Sequence, residues 1–281
     1  MRASTATLDC PTVAVLGCDD VGSAIACTLH GAGASVVLID DADPPWARRG
    51  RSYTDAWYVG GATLEQVDAC FCGSVRSLPA VLARGDMIAA TTWSVHGVAA
   101  AVRPIAVVDT RPGCTMSVSR TRPEFLDGVL TIGVRTTQVA GWPADVVIAG
   151  PRHAPGMHSS ARALPPEAPR ERIDAPHAGR FRTRHEIAER VEAGDVLGEL
   201  GAFACVAPIA GILTALAPRG ARVAAGNVLA EIDPRGDPVG CFGIEPEARA
   251  IAHRVCAAVR TMGRGGRRSQ AASCGRDAIP A

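Results

Sequence analysis

Apolar residues recur through the first 150 positions as short unbroken runs separated by helix-length stretches. Thr12-Val13-Ala14-Val15-Leu16, Ser35-Val36-Val37-Leu38-Ile39-Asp40, Met87-Ile88-Ala89-Ala90, Ile105-Ala106-Val107-Val108-Asp109 and Asp145-Val146-Val147-Ile148-Ala149 read as strands. Continuous apolar strands of this kind are buried on both faces. Gly17-Cys18-Asp19-Asp20-Val21-Gly22 punctuates the first run, Ser23 to His30 reads as a helix, and Gly31-Ala32-Gly33 stops it. Strands alternating with helices predict a parallel sheet covered on both sides.

The pattern changes after residue 174. Residues 175–200 and 207–232 align at an offset of 32 without a gap, with eleven of 26 positions identical. Ala175-Pro176, Ala178-Gly179, Arg190-Val191, Ala193-Gly194, Val196-Leu197 and Glu199 recur as Ala207-Pro208, Ala210-Gly211, Arg222-Val223, Ala225-Gly226, Val228-Leu229 and Glu231. Such a repeat predicts two equivalent units that bury one shared core. Within each copy, Val-x-Ala-Gly-Asp/Asn-Val-Leu reads as strand, tight turn and strand, with the glycine supplying positive φ. Two interlocked units of this type resemble the flattened barrels of biotinyl and lipoyl carrier domains. Those carriers need a lysine at the hairpin between the halves, here Gly201-Ala202-Phe203-Ala204-Cys205-Val206. The chain has no lysine, all 29 of its basic residues being arginine, so covalent biotin or lipoate is not expected. Cys205 reads as a small buried hydrophobe.

Composition narrows the classes. A length of 281 residues suits two domains, and a net charge of +1 argues against a broad nucleic-acid or membrane surface. Five Phe, four Trp and two Tyr leave little aromatic surface for stacking single-stranded nucleic acid. Ten cysteines without CxxC spacing, no membrane-length apolar run and a short polar start predict a reduced, cytoplasmic protein. Cys70-Phe71-Cys72 puts two thiols on one face of a strand, too few ligands for zinc. His153 and His158, and His177 and His185, lack partners that would complete a metal set.

Candidate chemistry lies at the first turn. A strand, a Gly-containing turn, a helix and a second strand ending in an acid are laid out as in a dinucleotide-binding βαβ unit. Gly17 and Gly22 occupy the first and third positions of G-x-G-x-x-G, but Asp19 stands where the second glycine lets backbone approach the pyrophosphate. Asp40 follows Gly22 by 18 residues, placed to accept from a ribose hydroxyl and favouring NAD over NADP. Trp46-Ala47-Arg48-Arg49-Gly50-Arg51-Ser52-Tyr53 could hold phosphate or carboxylate by forked hydrogen bonds. On that reading, replacing Arg48 and Arg49 removes anion binding and leaves the melting temperature nearly unchanged. Asp109 ends a core strand, where ligand sites in open α/β sheets lie.

The chain also resembles the accessory protein family of the selenium-dependent molybdenum hydroxylase system, over about residues 12–260. Pro44-Pro45-Trp46-Ala47-Arg48-Arg49 with Ser52-Tyr53-Thr54-Asp55-Ala56, and Arg103-Pro104 with Val107-Val108-Asp109-Thr110-Arg111, are similar to two of that family's segments. Ile232-Asp233-Pro234-Arg235-Gly236-Asp237-Pro238 with Cys241-Phe242 and Ala248-Arg249-Ala250-Ile251 is similar to its carboxy-terminal signature. The resemblance implies a Rossmann-like parallel-sheet domain over 10–150, a linker over 151–174 and a biotinyl/lipoyl-like barrel-sandwich hybrid over 175–260. A disordered Gly/Arg/Ser-rich tail is expected over 261–281. The implied role is maturation or support of a molybdenum hydroxylase, alone or as a homo-oligomer, with NAD or another nucleotide or pterin-type anion bound by Gly17, Asp20, Gly22, Asp40, Arg48, Arg49, Asp109 and Arg111. The family's second glycine is lost at Asp19, its Gly-Pro-Gly-Phe loop is Gly133-Val134-Arg135-Thr136 here, and its Pro-Asn-Thr-Gly stretch is reduced to Leu164-Pro165-Pro166-Glu167. Two alternatives stand beside that reading. One is an NAD-dependent oxidoreductase with His96 as proton donor. The other is a partner-binding module with a degenerate nucleotide site.

Overall fold

Thr12–Leu16 forms β1 at the centre of an eight-stranded sheet, and its alternate side chains enter two different cores. The computed structural model describes residues 11–111, 122–134, 138–149 and 170–273. After β1 come α1 (Asp20–Gly31), β2 (Ser35–Ile39), α2 (Ala56–Val59), β3 (Gly61–Leu64), β4 (Val67–Phe71), α3 (Leu78–Arg84) and β5 (Met87–Thr91). Then follow α4 (Val95–Val102), β6 (Ala106–Asp109), β7 (Leu130–Val134), the small pair β8 (Gln138–Val139) and β9 (Trp142–Pro143), and β10 (Val146–Ile148). The strand order is β10-β7-β6-β1-β2-β5-β4-β3. Val13, Val15, Val36, Leu38, Val108 and Ile132 face α1, while Ala14, Leu16, Val37, Ile39 and Val107 pack with residues of α3 and α4. Burial on both faces explains why these runs carry no polar alternation.

The remaining strands form two four-stranded sheets. They are β11 (Glu171–Asp174), β12 (Gly179–Arg182), β13 (Arg190–Val191), β14 (Val196–Leu200), β15 (Phe203–Val206), β16 (Gly211–Leu216), β17 (Arg222–Val223) and β18 (Val228–Asp233). One sheet has the order β11-β18-β16-β13 and the other β15-β14-β12-β17. Each is therefore completed by a short strand from the other repeat copy. β13 of the first copy pairs with β16, and β17 of the second pairs with β12.

The repeat's hydrogen bonds obey the same exchange. Gly194 donates to the Ala207 carbonyl and Gly226 to that of Ala175, both at 2.8 Å. Asp195 Oδ2 accepts from the Glu192 amide at 2.8 Å, and Asn227 Oδ1 from the Ala224 amide at 2.7 Å. The Asp/Asn alternation in the repeat thus serves one job, since either side chain offers an oxygen to close the turn. The shared core contains Phe181, Val191, Leu197 and Leu200 from one copy and Leu213, Leu216, Val223, Leu229 and Ile232 from the other.

Two expectations of a parallel-sheet domain followed by a carrier-like barrel are corrected here. First, the front sheet is mixed, because β3 runs antiparallel to β4 at the edge while the other strands run parallel. The Leu64-Glu65-Gln66-Val67 turn joins β3 and β4 directly, with Glu65 and Gln66 both at positive φ, and a hairpin forces that direction. Second, the two units are not laid end to end. The final helix, α5 (Pro246–Ser273), returns to pack against α1 through Ala248, Ile251, Ala252, Val255 and Val259. Their helical spacing gives an apolar stripe that needs a covering layer, and α1 supplies it. α5 also runs past residue 261, where the sequence predicts a disordered tail. β11 begins inside the expected linker, and residues 150–169 lie outside the described residues.

Gly194 and Gly226 have φ of +96° and +82° with open space where a Cβ would project. An alanine there pays only for left-handed backbone, not for a clash. Gly194→Ala and Gly226→Ala should each lower stability by about 1–2 kcal/mol, to the same extent within error. Thermal melts of the two variants check this, and clearly unequal losses would break the equivalence of the turns.

Candidate functional site

The first turn sits at the carboxyl ends of the central strands, beside the switch between β1 and β6, whose helices α1 and α4 cover opposite faces of the sheet, which is the usual place for a ligand in an open α/β sheet. Gly17 and Gly22 are brought together there, and each has a steric reason to be glycine. Gly17 has φ of +99°, and a Cβ on it would lie 2.5 Å from Thr110 Oγ1. A Cβ on Gly22 would lie 1.9 Å from the Gly17 carbonyl oxygen, so the helix start could not close on the turn. Both glycines are required by packing whether or not a ligand binds.

The carboxylates around this turn are engaged by the protein itself. Asp19 is the N-cap of α1, and its Oδ1 accepts from the Gly22 amide at 2.8 Å. Its charge complements the positive end of the helix, the place a phosphate would take. Asp20 lies in the first turn of α1, where its Oδ1 accepts from the Val21 amide at 3.0 Å. Asp40, expected to face a ribose, is buried, and its Oδ2 accepts from the Cys18 amide at 2.6 Å and Trp46 Nε1 at 2.9 Å. Its Oδ1 accepts from the Asp41 amide at 2.8 Å. Burial pushes the Asp40 carboxyl above its ordinary range, and the donors from Trp46 and Cys18 pull against that rise. The Cys18 thiol is driven well up, first by burial and then by Asp40.

Asp109 and Arg111 form a pair. Arg111 Nε and Nη2 donate to the two Asp109 oxygens at 3.0 and 2.8 Å, and the Ala140 amide adds a bond of 2.9 Å. The paired carboxylate raises the arginine above its usual value. His96, the proton donor of the oxidoreductase alternative, is exposed and stacks on Phe125 with ring centroids 5.0 Å apart, while Phe125 meets Trp142 edge-on at 5.8 Å.

The arginine cluster is not an open anion site. Arg48 is 6% exposed and lies between the two units. Its Nη2 donates to both Glu231 oxygens at 3.0 and 3.1 Å, and its Nη1 to Glu245 Oε1 at 3.2 Å. Arg51 pairs with Glu245 and donates to the Gly240 carbonyl. Arg170 bridges Glu231 and Asp233 at 3.3 and 2.9 Å, and Arg235 clamps Asp233 through Nε and Nη2 at 2.8 and 2.7 Å. Burial lowers Arg48, with Glu231 acting against it. Arg51 is brought down to about 10 by burial and by the charges of Arg48 and Arg170. Arg49 turns the other way, binding Asp55 at 2.5 and 3.1 Å with Glu186 at 3.4 Å. The Leu216 amide also donates to the Ala47 carbonyl at 2.8 Å, tying β16 to this segment.

The charged lock was missed from the sequence because its parts lie more than 180 residues apart. Glu231 was visible only as the repeat mate of Glu199, which is exposed, whereas Glu231 is 5% exposed. Asp19 could have been read as a cap, since an acid just before a helix start is a strong N-cap signal. Among the described residues, no three His, Cys, Asp or Glu side chains come together in a way that could hold a metal ion. His153, His158 and the stretch 164–169 lie outside the described residues.

No family model matches the chain. An uncharacterized Escherichia coli K12 protein, YqeB, is 25% identical over 260 residues, covering 89% of this chain and 47% of that protein. The chain thus spans about half the length of that curated relative. A Rhodobacter sphaeroides structure described as a succinylglutamate desuccinylase/aspartoacylase is 14% identical, covering 72% of this chain and 58% of its own, at a TM-score of 0.19. A Mesorhizobium loti aspartoacylase family protein is 13% identical, covering 80% and 86%, at 0.22. At such scores neither likeness carries an inference about activity. The expected fold class, a Rossmann-like parallel sheet followed by a barrel-sandwich hybrid, is corrected by the strand pairing itself, an eight-stranded sheet with one antiparallel edge and two four-stranded sheets.

Arg48→Ala should cost about 3 kcal/mol in urea unfolding, because the buried Glu231 loses the donor to both its oxygens and keeps Arg170 as its cation. Arg48→Ala with Glu231→Ala should cost less than the sum of the single changes. Exposed Arg84→Ala serves as the silent control. Asp233 gives a pH signature. Burial raises its carboxyl, but Arg235 and Arg170 outweigh burial and hold it below the usual range. A depressed folded value contributes stability above about pH 4 that is lost as pH falls toward that value. Asp233→Asn should therefore flatten the acid limb of a stability–pH profile, and an unchanged limb would place the acid sensitivity elsewhere.

Proposed function

We propose that the chain is a non-catalytic binding module of the reducing cytoplasm, with a nucleotide-type turn closed by its own side chains, that serves a partner protein. The observation carrying this reading is the arrangement of Asp19, Cys18 and Asp40. In a working dinucleotide site, the acid after the second strand accepts from ribose and the helix start faces pyrophosphate. Here Asp40 already accepts three protein donors, and Asp19 caps the helix.

A nucleotide entering the turn would have to displace those bonds, each worth about 1 kcal/mol or more in place. It would also bring a dianion against the buried Asp19 and Asp40 carboxylates. The cations nearest in sequence to the turn's acids are committed: Arg111 to Asp109, Arg48 to Glu231 and Glu245, and Arg49 to Asp55. The described cysteines are free thiols, which suits a reducing compartment. Among the described residues no helix is long and apolar enough to cross a membrane. Val239 and Phe242, 82% and 57% exposed on the turn that Arg51 anchors, offer apolar contact surface for a partner.

Calorimetric titration with NAD, NADP and ATP tests the reading. The expected result is no saturable heat below about millimolar ligand. Micromolar binding of any of the three, lost on Asp40→Ala, would overturn it.

A further inference from the structure

β12 carries Arg180 and Arg182 outward with Phe181 buried between them, and Arg184 continues the alternation past a buried Thr183. Alternate residues of a strand lie about 6.8 Å apart, so the three arginines form a row on the outer face of the sheet β15-β14-β12-β17. Arg222 of β17 stands directly opposite Arg180, and like charges opposed across a strand pair repel. Arg180 donates to the Gly220 carbonyl at 2.6 Å, a neutral group, while Arg222 Nε lies 3.6 Å from Asp43 Oδ2. Among the described residues, the Arg182 and Arg184 side chains have no hydrogen bond or ion pair, although Glu199 stands opposite Arg182. The internal repeat shows what the equivalent face does in the other copy. Arg180, Arg182 and Glu199 correspond at the offset of 32 to Ile212, Thr214 and Glu231. Those three are 1%, 7% and 5% exposed. The Arg49–Arg51 segment and the turn Val239–Cys241 pack against β16, and Arg48 reaches Glu231. One half of the barrel therefore uses this face for docking, with its acid receiving a cation from across the contact. The other half keeps the acid as Glu199 and surrounds it with arginines, which reverses the sign of the charge the face attracts.

We propose that this face takes an extended acidic segment of a partner protein, an inference that deepens the partner-binding reading above and rests on it. An extended chain with carboxylates at alternate positions repeats at the same spacing of about 6.8 Å as Arg180, Arg182 and Arg184. Arg182 and Arg184 each offer it an unused fork of donors. The row spans about 14 Å from first to last, too far for a single phosphate or carboxylate to bridge. A carboxylate set between Arg180 and Arg222 replaces their mutual repulsion with attraction to one anion. Glu199 selects against a nucleic-acid backbone or an anionic membrane, whose continuous negative charge it opposes. A polypeptide can set an uncharged side chain there. On the same face Val196 and Val206, 52% and 41% exposed, give the segment apolar contact.

Fluorescence anisotropy of a labelled peptide of six Glu-Thr repeats, titrated with the full chain at about 150 mM salt, tests this. Binding should saturate below about 1 mM, and a Gln-Thr peptide of the same length should not bind. Arg182→Gln with Arg184→Gln should weaken binding about tenfold or more at an unchanged melting temperature. Arg84→Gln, at an exposed arginine of α3, should leave binding unaltered. Absence of saturation by the Glu-Thr peptide, or equal affinity in the double variant, would overturn the proposal. So would tighter binding of a labelled single-stranded oligodeoxynucleotide, or of phosphatidylglycerol vesicles, that the same double variant abolishes, since the face would then serve a polyanion. The nucleotide titrations above report the first turn through Asp40→Ala, so failure of that reading and failure of this face are read in separate experiments.

Discussion

The guanidinium of Arg48, buried between Glu231 and Glu245, is the contact on which the relation of the two halves depends. A buried arginine is tolerable only when its charge is met, and here two carboxylates from different parts of the second half meet it at Nη1 and Nη2. Arg51, Arg170 and Asp233 extend the cluster, so a charge removed at one point leaves another unbalanced. The strength of such a lock lies less in net stabilisation than in the penalty for breaking it, and so it fixes one mutual placement.

The lock also explains how the internal repeat came to differ between its copies. The duplicated strands share backbone bonds, turn geometry and a core to which both contribute. Glu199 and Glu231 occupy equivalent positions, yet one faces water and the other faces Arg48. The edges diverge similarly, with charge on β11 and none on β15. A symmetric unit that docks on one side only must lose equivalence where the docking occurs, because identical residues then meet different dielectric surroundings.

At the first turn, the same glycine spacing that suggests a nucleotide is accounted for by close packing of α1 on β1. The protein supplies the negative charge for its own helix start through Asp19 and satisfies Asp40 from Cys18 and Trp46. The helix start and the Asp40 carboxylate are thus both met by groups of the protein itself.

The unbroken apolar strands, the first turn, the repeat and the absence of lysine were legible along the chain, because they depend on local spacing and residue type. The helical spacing of Ala248, Ile251, Ala252, Val255 and Val259 in α5 is likewise present in the residues themselves. The burial partner of that face was not legible, since a helical period states that one face must be buried but not against what. The reversal of β3 likewise depended on a tight turn through Glu65 and Gln66, two residues that ordinarily avoid positive φ. Arg48 and Arg49 look alike in sequence, and only the folded chain sent one inward to Glu231 and the other to Asp55. Charge partners are chosen by where distant segments meet, and that information resides in the tertiary packing rather than in any local pattern.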